Sequence, residues 1–179
     1  LWTLAQADMD GDGLSDLLIG NHSRKLGDDE YGAVFLIPAT RILSLPKEPF
    51  VAGVVPKAIH LIQDPASPGL YRIDGKSPKG LFGRSIARVP LLGGNGRDAI
   101  VVGSPQSDVG GKPKTGGAFI YRHQPDGPGF DPFPIAVISG ETYRTGGNVG
   151  IKVAATLQGG VPTVVVGSSS GTPYQSPDI

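Results

Sequence analysis

The chain has 179 residues, with 16 basic and 16 acidic side chains and no cysteine. Zero formal charge gives no electrostatic reason to expect nucleic acid or an anionic membrane surface as a partner. The missing cysteines rule out disulfides, thiol catalysis and cysteine-ligated metals, and no stretch is long and apolar enough to insert in a bilayer. Glycine (28) and proline (17) make up about a quarter of the residues. Short apolar runs recur between these turn formers, so the composition describes a turn-rich all-β protein. In chain order the strand candidates are Leu17–Ile19, Ala33–Ile37, Ile59–Ile62, Ile86–Val89, Ile100–Val102, Ala118–Tyr121, Ile135–Ile138, Val153–Ala155 and Thr163–Val166. Each is rich in β-branched or aromatic residues and bounded by Gly, Pro, Asn or Asp. Helical periodicity is absent apart from one turn over Thr40–Leu45, which Pro46 stops.

The densest chemistry lies in Asp8-Met9-Asp10-Gly11-Asp12-Gly13-Leu14-Ser15-Asp16. Carboxylates occupy alternate positions of a glycine-rich loop that opens into an apolar strand. Like charges crowded in this way repel unless a cation sits among them. Hard oxygen donors on a flexible loop favour calcium, with Asp8, Asp10, Asp12 and Asp16 as side-chain ligands and Leu14 offering its backbone carbonyl. An EF-hand is excluded. Its twelfth position requires glutamate and here holds Ile19, and the flanks read as strand, not helix.

The chain also repeats itself. Trp2-Thr3-Leu4-Ala5 aligns with Arg84-Ser85-Ile86-Ala87 and with Ile151-Lys152-Val153-Ala154. The second and third copies follow Phe82-Gly83 and Val149-Gly150. A strand and glycine come next in each: Leu17-Leu18-Ile19-Gly20, Ile100-Val101-Val102-Gly103 and Val164-Val165-Val166-Gly167. In two units a further strand follows Gly-Ala, at Gly32-Ala33-Val34-Phe35-Leu36 and Gly117-Ala118-Phe119-Ile120-Tyr121. Ile59–Ile62 and Ile135–Ile138 would close these two units as fourth strands. Short strands repeated in this way are the logic of propeller blades, each burying its faces against its neighbours.

The pattern Phe82-Gly83 with Gly103-Ser104-Pro105, joined to the acidic loop, resembles the FG-GAP repeats of integrin α-subunit propellers, also found in bacterial secreted proteins and GPI-specific phospholipase D. The resemblance implies an all-β propeller with about two and a half four-stranded blades: residues 1–80 with a calcium loop, 81–147 without one, and 148–179 as a partial third. It also implies Ca2+ at Asp8, Asp10, Asp12, Leu14 and Asp16, because these match the family's Asp-x-Asp-x-Asp-Gly-x-x-Asp loop. Unit two carries Asn95-Gly96-Arg97-Asp98 at that place and unit three Gln158-Gly159-Gly160, so both are expected to be metal-free turns. Two and a half blades do not close a ring, so a fragment of a longer protein, or blades supplied by neighbouring chains, is expected.

The expected function is non-catalytic recognition or adhesion at the cell surface or outside the cell. Protein or glycan ligands would sit on the propeller loops, and no residue is assigned to catalysis. The alternatives are an accessory propeller of a secreted hydrolase or lyase whose catalytic part lies elsewhere, and a structural subunit of a larger complex. Gly167-Ser168-Ser169-Ser170-Gly171 matches the nucleophile elbow Gly-x-Ser-x-Gly, but it occupies the strand-end turn of the repeat and precedes no helix. His22, His60 and His123 share no ligand spacing; His22, next to the calcium-loop strand, is placed near a binding surface. Asp28-Asp29-Glu30 reads as a solvated turn.

Overall fold

The computed structural model describes residues 2–45, 70–125, 127, 129–140 and 147–169. The regular structure of the described residues is nearly all strand. β1 (Trp2–Ala7), β2 (Asp16–Asn21), β5 (Ala33–Ile37) and β6 (Tyr71–Asp74) form one antiparallel sheet in that order. A second contains β7 (Ser85–Gly94), β8 (Arg97–Ser104), β9 (Gly117–Arg122) and β10 (Ala136–Ser139). β11 (Lys152–Gln158) and β12 (Val161–Gly167) make a two-stranded third. A small hairpin of β3 (Lys25–Leu26) and β4 (Asp29–Glu30) projects after β2, and one short helix, α1 (Ala39–Leu43), follows β5. The helix occupies the turn expected over Thr40–Leu45.

Alternation along the strands decides which sheet covers which. In β5, Val34 and Leu36 face the second sheet, whereas Ala33, Phe35 and Ile37 face the other way, where Leu17, Ile42 of α1 and Leu70 pack on them. Val34, Leu36, Leu18 and Ile73 meet Phe82, Ile86, Ile100, Val102 and Tyr121 of the second sheet in one core. The opposite face of that sheet carries Val89, Ala99, Val101, Ala118 and Ile120 onto Val153, Ala155, Val164 and Val166 of the third. Sheets stacked face to face as successive blades, first strand against first strand, make a partial β-propeller.

Glycine sets the spacing of this stack. A side chain begun at Gly20 would lie 2.3 Å from the Gly83 carbonyl oxygen, and one at Gly103 would lie 2.0 Å from that of Gly150. Gly83 and Gly150 take positive φ (84° and 87°), which turns their carbonyls onto the preceding sheet. Isolated parallel bridges Gly32–Phe82 and Gly116–Val149 complete each joint. The Phe-Gly dipeptide is thus a clamp on the glycines of the sheet before it. The Phe82 ring is held edge-on by Phe119 and Tyr121, at centroid distances of 6.1 and 6.0 Å.

Two details differ from the sequence alignment. The joint places Gly32 with Gly116, not with Gly117, because Gly20 pairs with Val34 as Gly103 pairs with Ala118. The Gly-Ala units are therefore offset by one residue. Ile59–Ile62 lies outside the described residues, and the fourth strand of the first sheet is Tyr71–Asp74. That strand shows little apolar pattern because its outer positions, Arg72 and Asp74, form an ion pair (2.9 Å), extended by Arg24 to Asp74 (2.8 Å).

Candidate metal centre

The hairpins joining the first two strands of each unit differ in one respect. In unit two Asn95 (φ 52°) and Gly96 (φ 81°) form a two-residue turn, and in unit three Gly159 (57°) and Gly160 (83°) do the same. Two consecutive positive φ values fit the right-handed twist of a hairpin. In unit one the connection between β1 and β2 is the acidic segment from Asp8 to Ser15.

Its carboxylates fold the loop onto themselves. Asp8 Oδ1 accepts the Gly11 N–H (2.8 Å) and Oδ2 the Gly13 N–H (3.0 Å). Asp10 Oδ1 accepts from Asp12 N (3.1 Å), and Asp12 Oδ1 from Leu14 N (2.8 Å). Gly11 and Gly13, at φ 81° and 84°, allow these reversals. As a result Asp8, Asp10 and Asp12 each present an oxygen, and the three atoms lie within 4.8 Å of one another. Three hard anionic donors at that spacing fit a cation of the calcium class.

Asp16 is placed differently. It is 1 % exposed and accepts the N–H of Met9 (3.0 Å) and of Ala39 (2.9 Å), fastening the start of the loop to α1. Burial pushes its carboxyl above 3.8. The two N–H bonds oppose that rise, and the charges of Asp10 and Asp12 add to it. The structure thus brings Asp8, Asp10 and Asp12 together, while Asp16 is buried and bonded to Met9 and Ala39. Leu14 has a half-exposed side chain and lines a shallow hollow with Ser15, Ala39, Ile42 and Leu43.

The neighbouring sheet reaches this loop in a way that sequence reasoning did not foresee. Asp98, 2 % exposed at its side chain, accepts the Asp8 N–H through Oδ2 (2.9 Å), while its own N–H donates to the Asp8 carbonyl (2.8 Å). Its carboxylate also accepts Leu91 N (3.2 Å) and pairs with Arg88 Nε (2.6 Å). Arg97 lies across Gly11, where an added Cβ would meet its Cγ at 2.9 Å. The stacking of the second sheet on the first aims these residues at a loop 90 positions away from Asp98.

The remaining candidates among the described residues make structural contacts. His22 is buried in the joint between the first two sheets, with Nε2 3.4 Å from Arg84 Nη1, and not on an open surface. His123 bonds within its own turn, Nδ1 to Gln124 O (2.8 Å) and Nε2 accepting from Gly129 N (3.3 Å). His60 lies outside the described residues, as do Ser170 and Gly171. Ser169, the serine at the nucleophile place of the elbow-like motif, accepts from Asn148 Nδ2 (2.8 Å), and its neighbour Ser168 bonds the Gly147 carbonyl as Ser104 bonds that of Gly80 (2.9 Å), a fastening shared with unit two. Asp29 and Glu30 form the outer strand of the small hairpin, which Asp28 helps to turn.

Antiparallel sheets clamped face to face through glycines, the first with an acidic hairpin loop, define a propeller-type repeat protein. Residues 1–37, through the end of β5, match the FG-GAP repeat family. No curated protein matches the chain. FG-GAP repeats build propeller-type interaction modules, often bind calcium and occur in extracellular and surface proteins. Among the described residues no helix is long and apolar enough to cross a membrane.

Proposed function

We propose that this chain is a non-catalytic recognition module, extracellular or at a cell surface, whose first blade is fixed by calcium. The carrying observation is the convergence of Asp8, Asp10 and Asp12 within a loop of the segment that matches the FG-GAP repeat family. These three would hold the ion by their side chains; the motif implies the Leu14 carbonyl and Asp16 as the rest of the set, Asp16 through lone pairs other than those that accept Met9 N–H and Ala39 N–H. Neutralising the triad removes mutual repulsion from a loop already folded by its own N–H bonds, so β1 and β2 are held in register. Protein or glycan ligands would bind the loops at one rim, and further blades would cover the outer sheet faces. The exposure of Leu4 (66 %) and Val165 (59 %) supports that last point, since their counterparts Ile86 and Val101 are buried between sheets.

Thermal melting in calcium and in chelator, with metal analysis of the dialysed protein, tests the metal role. A site occupied at a hundredfold excess over Kd adds about 2.7 kcal/mol, which raises the midpoint by roughly 5–10 °C for a chain of this size. Equal midpoints and no bound metal would remove the proposal. Binding to immobilised extracellular proteins and glycans, with and without calcium, tests the recognition role.

A further inference from the structure

The amide of Asp8, the first residue of the acidic loop, is held from outside the first sheet. Its N–H points to Asp98 Oδ2 (2.9 Å), and its carbonyl receives the Asp98 N–H (2.8 Å). The next N–H, of Met9, is held by the buried carboxylate of Asp16 (3.0 Å). Two buried acids, one from each sheet, therefore fix successive peptide units at the point where the Asp8 side chain turns toward Asp10 and Asp12. Asp98 is itself immobilised by Arg88 and by Leu91 N–H. A partner that orients a metal ligand without touching the metal contributes to affinity through the ligand's geometry.

We infer that Asp98 is a positioning residue for the cation loop, so that calcium binding in the first sheet is coupled to docking of the second. This rests on the calcium reading above. The coupling is reciprocal: whatever the docked second sheet adds to calcium affinity, calcium returns as stability of the joint. The two hydrogen bonds at Asp98 make the link short and specific. The joint has other contacts that do not reach the loop, such as Thr3 Oγ1 donating to the Arg84 carbonyl (2.9 Å).

Calcium titration by calorimetry on wild type, Asp98→Ala, Asp98→Asn and Thr3→Val, each checked for folding by circular dichroism, tests the inference. Asp98→Ala is expected to weaken calcium binding about tenfold or more, the usual scale for such partners. Asp98→Asn keeps an acceptor for the Asp8 N–H and is expected to fall between wild type and Asp98→Ala; it also stands in if the alanine variant does not fold. Thr3→Val is expected to lower the melting midpoint at unchanged calcium affinity, which a purely structural role of Asp98 would mimic in all three variants. Wild-type affinity in Asp98→Ala, or equal losses in Asp98→Ala and Thr3→Val, overturns the inference while leaving the calcium site standing. Absence of calcium binding by wild type overturns both.

Discussion

Replacing Gly103 by alanine sets two well-known effects against each other. Gly103 lies in β8 without the positive φ that would strain an L-residue, so alanine there should gain about 0.4–1 kcal/mol by restricting the unfolded chain. Against this, the new methyl would sit 2.0 Å from the Gly150 carbonyl oxygen and 2.3 Å from Ser85 Oγ, the hydroxyl that donates to that same carbonyl. Gly150 has little room to retreat. Its φ is 87°, its N–H is bonded to the Gly167 carbonyl, and a Cβ on it would itself lie 2.3 Å from the Gly117 oxygen. Overpacking typically costs about 1–3 kcal/mol, and an obstacle made of backbone puts this case at the upper end. The net expectation is a loss of about 2 kcal/mol, or roughly 4–8 °C in melting midpoint for a chain of this size. Gly167 holds the same place in the third unit, but its nearest new neighbour would be Lys152 Cβ at 3.5 Å, an ordinary contact. Gly167→Ala should therefore be neutral or slightly stabilising. Urea and thermal unfolding of the two variants beside wild type decide the matter. Similar shifts in both would show that the carbonyl-on-glycine joint does not set the stack.

Phe82→Ala removes a buried ring and both edge-on aromatic contacts, and should cost about 3–5 kcal/mol in denaturant unfolding. Leu91, half exposed at φ 60° in the irregular part of β7, should accept Asn with a gain of up to about 1 kcal/mol, since Asn tolerates that conformation; a lower urea midpoint would contradict this. Burial raises the Tyr121 hydroxyl from 10.0 to about 12. The unfolded chain then releases this proton before the native one does, so stability falls as pH rises from 10 towards 12. Absorbance titration near 295 nm should show a phenol step near 12, which Tyr121→Phe should abolish.

Much of this architecture is legible before folding because glycine and the acidic loop carry their own constraints. The apolar runs of β2, β5, β8, β9 and β12 alternate against turn residues, and Gly20 and Gly103, near the ends of β2 and β8, mark where the next sheet presses. The one-residue offset at Gly32 was not legible. The pair Gly116-Gly117 offers two alignments, and the β8–β9 register together with the bridge to Val149 distinguishes them. β6 is not legible in the sequence because Arg72 and Asp74 face outward in ion pairs, leaving Tyr71 and Ile73 as its only apolar residues. In the candidate site, spacing identified Asp8, Asp10 and Asp12 as neighbours. Spacing could not show that Asp16 turns inward to Met9 and Ala39, since that depends on α1 packing over the loop. Nor could it reveal Asp98, whose partner is set by sheet stacking and not by local sequence.

At the joint between sheets, beside the packed side chains, a carbonyl oxygen rests on a bare α-carbon. Such a contact asks only that a few positions stay empty. Hairpin rims on either side can therefore lengthen, shorten or change charge, as the acidic turn and the two-residue Asn-Gly turn already do, without altering the pitch from one sheet to the next. The stack works as a fixed chassis, and its chemistry is interchangeable at the edges.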